Sequence, residues 1–328
     1  MKAIVYYNNG SGDVLKFGEI EKPNPRDDEI LIKVRAASVN PLDYHLLTHA
    51  LMRRVMAVLS KAKNTRPGRD VAGQVEAVGS NVTQFQPGDE VFGACSGAFA
   101  EYACSRESAL AMKPDNVSFE QAASVPVAGL TALQGLRDKA QIQPNQKVLI
   151  NGAAGGVGTF AVQIAKSFSA EVTGVCSTRN VEMVRSIGAD HVIDYTREDF
   201  ARSGQRYDVI FDLVANHSLS EHQRVLTPKG KYIGAGILGF GGSMMRVLTS
   251  RITELALSPF VNQKFTSFVA KLNHEDLTLI GALMKAGKVK PVIDRRYSLN
   301  ETAEAVRYLE EKHARGKVLI TLDGTQGS

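Results

Sequence analysis

Lys147-Val-Leu-Ile-Asn-Gly-Ala-Ala-Gly-Gly-Val-Gly158 is an apolar run that breaks into a glycine turn, and a helical pattern follows at Val157, Ala161, Ile164, Ala165 and Phe168. A strand turning sharply into a helix leaves the first helical N–H groups unpaired, and the helix dipole favours negative charge there. Gly155 lets the backbone approach a pyrophosphate, and Gly158 lets the helix pack closely on the strand. The expected cradle is therefore Ala153, Ala154, Gly155, Gly156, Val157 and Gly158. Position 153 is Ala, so the match to G-x-G-x-x-G is imperfect, and a glycine turn that binds nothing is the alternative on these residues alone.

The next strand reads Glu171-Val-Thr-Gly-Val-Cys176, and in a dinucleotide fold its end faces the adenosine ribose. NAD enzymes place an acid there for the 2′-hydroxyl, whereas NADP enzymes accommodate a phosphate. Here Ser177-Thr178-Arg179-Asn180 follows, with no acid before Glu182. Two hydroxyls and a guanidinium suit a phosphate, so the residues favour NADPH over NADH. The alternative is that Arg179 is a solvated first-turn residue of the following helix.

A chain of 328 residues makes about two ordinary domains, and 44% hydrophobic residues supply cores for them. Lys+Arg 39 against Asp+Glu 34 gives +5, and no basic stripe carries interleaved aromatics, which argues against nucleic acid. Cys95, Cys104 and Cys176 are too widely spaced for a disulfide framework and point to a reducing compartment. The N-terminus enters a strand pattern at once, without a signal- or transit-peptide pattern, so a cytoplasmic location is expected.

Organisation changes along the chain. Lys2–Tyr7, Glu29–Ala37, Gly73–Val78, Glu90–Phe92 and Phe99–Ala103 read as short strands punctuated by prolines, a β-rich partial barrel. From about residue 120, with Ser118 as a helix N-cap, strands at 147–151, 171–176, 191–194, 208–213 and 231–235 alternate with helical or loop segments. Phe265–Ala270 would be a sixth strand. That rhythm predicts a doubly wound parallel sheet. A helix at 275–286, a strand at Val292–Tyr297, a helix at 301–312 and Lys317–Leu322 would close back onto the first domain.

Further stretches occur in order: Ala37-Ser-Val-Asn-Pro-Leu-Asp43, Gly68-Arg-Asp-Val-Ala-Gly-Gln-Val-Glu-Ala-Val-Gly79, Pro87-Gly-Asp-Glu-Val-Phe-Gly93, Ala128-Gly-Leu-Thr-Ala132, Gly188-Ala-Asp-His-Val-Ile-Asp-Tyr195 and Gly316-Lys-Val-Leu319. With the glycine turn they make nearly the whole chain resemble the zinc-independent medium-chain dehydrogenase/reductases, the quinone oxidoreductase group. The resemblance implies an α/β protein: a discontinuous GroES-like catalytic domain, 1–122 with 272–328, and a Rossmann domain, 123–271. It also implies a homodimer that uses NADPH to reduce quinones, enones or related activated carbonyls.

Alcohol dehydrogenases of this superfamily carry a catalytic Cys and a Gly-His-Glu for zinc. Asn40 stands at the Cys and Arg69 replaces the His, while Cys95 and Cys104 lack partners for a structural site. No metal is expected. Without a Lewis acid, oxidation of a plain alcohol lacks a driving group. A conjugated acceptor instead spreads incoming hydride charge over its own π-system, leaving the protein to place the reactants and hydrogen-bond an oxygen.

Ser177, Thr178 and Arg179 would take the 2′-phosphate, and by resemblance Tyr195 would contact the adenosine phosphate. Leu213 and Val214, ending the fourth strand, would flank the adenine or nicotinamide ribose. Gly234, Ala235, Gly236 and Ile237 would meet the nicotinamide, with Asn40 and Thr131 near it. Asn40 also reads as a turn residue before Pro41. Tyr44 and His45 are the candidate proton donors; relatives often carry Tyr where His45 falls, and water can also protonate the product. Residues 46–66 and 244–264 form amphipathic patterns. Helices packed on each other is the favoured reading, and an apolar mouth for a lipophilic acceptor touching a membrane surface is the sharper one. Two alternatives to the reductase are a zinc-independent NADP-dependent alcohol/aldehyde dehydrogenase and a low-turnover NADPH-binding scaffold or sensor.

Overall fold

The computed structural model describes residues 1–6, 15–43, 66–235, 262–311 and 314–322. Its strands are β1 Lys2–Tyr6, β2 Leu15–Glu19, β3 Glu29–Val39, β4 Asp70–Val78, β5 Glu90–Ala94, β6 Tyr102–Arg106, β7 Leu110–Met112, β8 Lys147–Asn151, β9 Glu171–Cys176, β10 His191–Asp194, β11 Tyr207–Asp212, β12 Leu226–Ala235, β13 Lys264–Phe268, β14 Ile293–Ser298 and β15 Lys317–Thr321. Its helices are α1 Phe119–Ala123, α2 Pro126–Gln134, α3 Gly156–Ser167, α4 Val181–Ser186, α5 Leu219–Val225, α6 His274–Lys285 and α7 Thr302–Glu310. The chain divides into two compact units, Met1–Val127 with Leu272–Gly287 and Ile293–Ser328, and Ala128–Lys271 with Lys288–Val292.

The first unit is a seven-stranded sheet in the order β14-β15-β3-β4-β5-β7, with β6 pairing β3, beside the antiparallel β1–β2 pair. Ile30, Ile32, Val71, Val75, Val91 and Ile320 form its core with Ala305 and Val306 of α7. α7 is amphipathic and buries that apolar stripe. The C-terminal strand β15 lies antiparallel to β3, with Val318 opposite Val39. β4 lies on the other side of β3, with Asp70 opposite Ser38.

The second unit is a six-stranded parallel sheet in the order β10-β9-β8-β11-β12-β13. That is the doubly wound order 3-2-1-4-5-6. β8, β9 and β11 are buried along nearly their whole length, as central parallel strands covered on both faces must be. α3 buries Gly158 to Ala165 against β8 and β9. Ser118 caps α1 as expected, accepting the Gln121 N–H at 3.2 Å while the Gln121 side chain accepts the Ser118 N–H at 3.0 Å.

One strand is displaced from its expected position: Phe99–Ala103 is mostly loop, and the ladder runs at Tyr102–Arg106. Ala98, Phe99 and Ala100 are buried at 0–1% exposure, yet Gly97 turns at φ +90° and leaves Ala100 only a bridge to Ala3. Apolar side chains alone thus gave the appearance of a strand. Apart from Arg66 and 262–264, the amphipathic segments 46–66 and 244–264 lie outside the described residues. No helix among the described residues is long and apolar enough to cross a membrane.

Candidate functional site

The glycine elbow sits where β8 hands over to α3. Gly152 turns at φ +89°, which favours glycine. The Gly152 and Ala153 N–H groups bond Val175 O of β9 at 3.2 and 3.0 Å, which pins the elbow to the neighbouring strand. The first-turn N–H groups of Gly156, Val157 and Gly158 have no acceptor inside the helix, so an anion finds donors there. A Cβ on Gly155 would meet only Gly152 O, at 3.4 Å, leaving the face over the helix end open. A dinucleotide pyrophosphate fits this cradle.

β9 and β10 end side by side, with Asp194 opposite Cys176. Tyr195 N–H donates to Cys176 O at 3.0 Å, setting the 61%-exposed Tyr195 beside Ser177. Thr178 and Arg179 are exposed on a short 3-10 turn. Asp194, which no local motif marks as a partner of Thr178, accepts the Thr178 hydroxyl at 2.6 Å and that of Thr196 at 2.8 Å. The Thr178 hydroxyl, with those of Thr196 and the Arg197 charge, holds Asp194 below the usual carboxylate range. Thr178 is therefore tied to an acid, and the Arg179 guanidinium is the cationic group of the Ser177–Asn180 stretch.

Asp212, fully buried at the end of β11, joins the strand ends. Its Oδ1 accepts from Asn151 Nδ2 at 2.9 Å and from the N–H groups of Val214 and Ala215 at 3.0 Å each. Its Oδ2 accepts from Tyr232 OH at 3.0 Å and lies 3.3 Å from His222 Nε2, too poorly aligned for a hydrogen bond. Asn151 immediately precedes the elbow and also donates to Asn216 Oδ1 at 2.9 Å. This network orients Leu213 and the exposed Val214, and no local motif marks it either. Gly234 and Ala235 end β12, both buried. Thr131 is buried in α2.

The first unit holds a second constellation. Asn40, 2% exposed, donates from Nδ2 to Asp70 Oδ2 at 2.9 Å and accepts at Oδ1 from Lys317 Nζ at 2.6 Å. Ser38 Oγ donates to the same Asp70 oxygen at 2.7 Å, and Val127 N–H to the other at 3.0 Å. Asp43 accepts the Asn40 N–H at 2.9 Å. Burial, with the Asp70 charge nearby, pushes the Asp43 carboxyl up to about 7. Burial pushes Lys317 down, and the Asp70 and Asp43 carboxylates oppose that. Burial likewise raises the Cys95 thiol, an inert neighbour.

A carboxyl raised in the folded chain binds its proton more tightly there than in the unfolded chain. Its contribution is fully present below the unfolded value of about 4 and is lost as pH rises toward the folded value. Asp43→Asn keeps an acceptor for Asn40 N–H and removes that penalty. Calorimetry should find the variant's midpoint unchanged near pH 4 and progressively above wild type from there to pH 8.

A zinc ion does not fit these residues. The Asn40 carbonyl already faces an ammonium, Arg69 adds a second cation, and the Asp70 carboxylate is taken up by Ser38, Asn40 and Val127. Tyr44, His45, Gly236 and Ile237 lie outside the described residues.

Comparisons with known proteins agree with this architecture. Residues 26–115 match the alcohol dehydrogenase GroES-like domain, and residues 187–320 match a family described as zinc-binding dehydrogenase. A spinach protein, quinone-oxidoreductase homolog, chloroplastic (Spinacia oleracea), is 34% identical over 98% of this chain and 98% of its own. The chain belongs to the quinone oxidoreductase group of the medium-chain dehydrogenase/reductases. Another member, the NADPH-dependent alkenal/one oxidoreductase, chloroplastic, of Arabidopsis thaliana, is 35% identical over 98% of this chain and 79% of its own. The structure of the quinone oxidoreductase from Coxiella burnetii superposes with a TM-score of 0.85 at 30% identity, covering 98% of this chain and 99% of that one. The GroES-like and Rossmann-type architecture expected of the family is thus present.

Proposed function

We propose that this protein is an NADPH-dependent reductase that delivers hydride to a quinone, an enone or a related activated carbonyl. The glycine elbow carries the reading, because its backbone geometry admits a pyrophosphate and little else explains it. Support comes from the end of β9, which offers Arg179 where an NAD enzyme would carry an acid, and from relatives named for alkenal/one and quinone reduction. When bound, the dinucleotide supplies hydride from its nicotinamide ring.

This chain's own residues bind and orient. The N–H groups of Gly156 to Gly158 hold the pyrophosphate, Ser177 to Arg179 with Tyr195 hold the adenosine end, and Leu213, Val214, Gly234, Ala235, Gly236 and Ile237 line the path to the nicotinamide. Asn40 and Thr131 belong to the reacting end. A proton for the product oxygen comes from Tyr44, His45 or water. Residues 1–122 with 272–328 are assigned to catalysis and 123–271 to the nucleotide. A cytoplasmic homodimer acting on a small, lipophilic acceptor is the form proposed, and sedimentation velocity tests the dimer.

Oxidation of NADPH at 340 nm with 2-alkenals, 1,4-quinones and simple aldehydes decides the activity. Turnover confined to the first two supports the reading, and turnover with simple aldehydes alone overturns it. Arg179→Ala should raise the NADPH KM roughly 10- to 100-fold, the loss of about 1.5–3 kcal/mol for a charged hydrogen bond. The NADH KM should stay the same. An unchanged NADPH/NADH ratio would remove Arg179 from phosphate recognition.

A further inference from the structure

Lys317 is 3% exposed, and its side chain reaches across from the start of β15 to the end of β3. Its ammonium lies 2.6 Å from Asn40 Oδ1 and 3.4 Å from Asp70 Oδ2. Asp70 is 0% exposed and already holds Ser38 Oγ, Asn40 Nδ2 and Val127 N–H. Such a buried pair is a poor source of stability, because desolvating two ions offsets their attraction, and apolar side chains of equal volume commonly serve as well. Its distinctive capacity is orientation. The two ends of a carboxamide are nearly the same shape and differ only in hydrogen bonding. An ammonium can donate only to the oxygen end, and a carboxylate can accept only from the NH₂ end. Lys317 and Asp70 together therefore leave the Asn40 side chain one orientation.

We propose that Lys317 is a positioning residue for the reductase: its ammonium is the built-in cation of this site, locking the Asn40 amide and the Pro41–Asp43 turn that follows it. The proposal rests on the reading that Asn40 belongs to the reacting end. It assigns a role to a residue 277 positions away in sequence, and it accounts for the buried positive charge beside Asn40.

Lys317→Met and Lys317→Met/Asp70→Asn test it, with calorimetry, steady-state kinetics and NADPH titration by fluorescence on each. Lys317→Met leaves Asp70 buried without its cation, so its midpoint should fall. Its kcat should drop at least roughly 10-fold, because small misplacements of a reacting group are costly. NADPH Kd should stay within about twofold, since the nucleotide cradle is built from other residues. The double variant neutralises both charges and should recover most of the midpoint while kcat stays low. Recovery of kcat together with the midpoint would show Lys317 to be merely structural, and wild-type kcat in Lys317→Met would overturn the proposal outright. If Lys317→Met does not fold, the double variant decides. ¹⁵N NMR of the Asn40 carboxamide, assigned with Asn40→Ala, should show one slowly exchanging NH₂ that is lost in the double variant. Were wild type inactive with every acceptor, the functional reading would fail, and that NMR signal would still decide whether Lys317 locks the amide.

Discussion

Gly158→Ala should lose both folded stability and NADPH binding, whereas Gly155→Ala should lose binding alone. A Cβ on Gly158 would lie 2.1 Å from Gly152 O and 2.8 Å from the Ala153 backbone, and none of these atoms is the end of a flexible side chain. The elbow must open to admit it. Overpacking of this kind costs about 1–3 kcal/mol and more where backbone has to move. The displaced atoms are the ones that aim the first-turn N–H groups, so NADPH Kd should rise on the order of 100-fold, equivalent to about 3 kcal/mol. At Gly155 the new Cβ meets only Gly152 O at 3.4 Å, an ordinary contact, and the backbone is extended at φ −81°, open to alanine. The apo midpoint should hold. The methyl group would then occupy space reserved for the pyrophosphate, raising Kd about 10-fold, or about 1.4 kcal/mol. Calorimetry without nucleotide, paired with fluorescence titration, separates the two variants. A Gly155→Ala protein with wild-type affinity would mean that the dinucleotide does not lie on this cradle.

The contrast between those glycines also shows which parts of the site a sequence can disclose. Residues 147–158 announce themselves because strand, turn and helix are consecutive, so one short window holds the whole signal. The parallel sheet follows from the same kind of local rhythm, since each strand is a buried apolar run closed by a turn. Partnerships across the sheet leave no such trace. Lys317 and Asn40 are 277 residues apart, and only the antiparallel pairing of β15 with β3 brings them together. Ser38 meets Asp70 by the register of β3 with β4. Asp194 was likewise invisible as a neighbour of Thr178: the residues are 16 apart in sequence and meet because β10 and β9 end level with each other. The misplaced strand at Phe99–Ala103 is the converse case. Buried Phe99 and Ala100 satisfied the hydrophobic pattern, but Ala100 makes a single bridge to Ala3, and the longer ladder begins at Tyr102.

Asp212→Ala should cost the nucleotide-binding unit several kcal/mol of stability. The substitution strips acceptors from Asn151 Nδ2, Tyr232 OH and the N–H groups of Val214 and Ala215, all at 2.9–3.0 Å from the carboxylate. Each buried donor left unpaired costs about 1–3 kcal/mol, and their shared neighbourhood keeps the sum below simple addition, roughly 3–5 kcal/mol. At about 2–4 °C per kcal/mol for a chain of this class, the midpoint should fall roughly 6–20 °C. NADPH affinity should weaken as well, because the Leu213–Ala215 turn and the approach to the elbow lose their common anchor. The effect carries its own pH signature. Burial alone would raise the Asp212 carboxyl, but His222 beside it and the N–H groups of Ala215 and Val214 outweigh burial and hold it below the usual range. With the folded value lowered, the unfolded chain takes up protons first as pH falls. The stabilisation is therefore fully present above about 4 and is lost as pH falls through the folded value. The gap between wild type and Asp212→Ala should be constant from pH 8 to 5 and shrink below about pH 4. A gap that stayed constant into acid would mean that the carboxylate's charge contributes nothing and that the loss comes from packing around an emptied space at the end of β11.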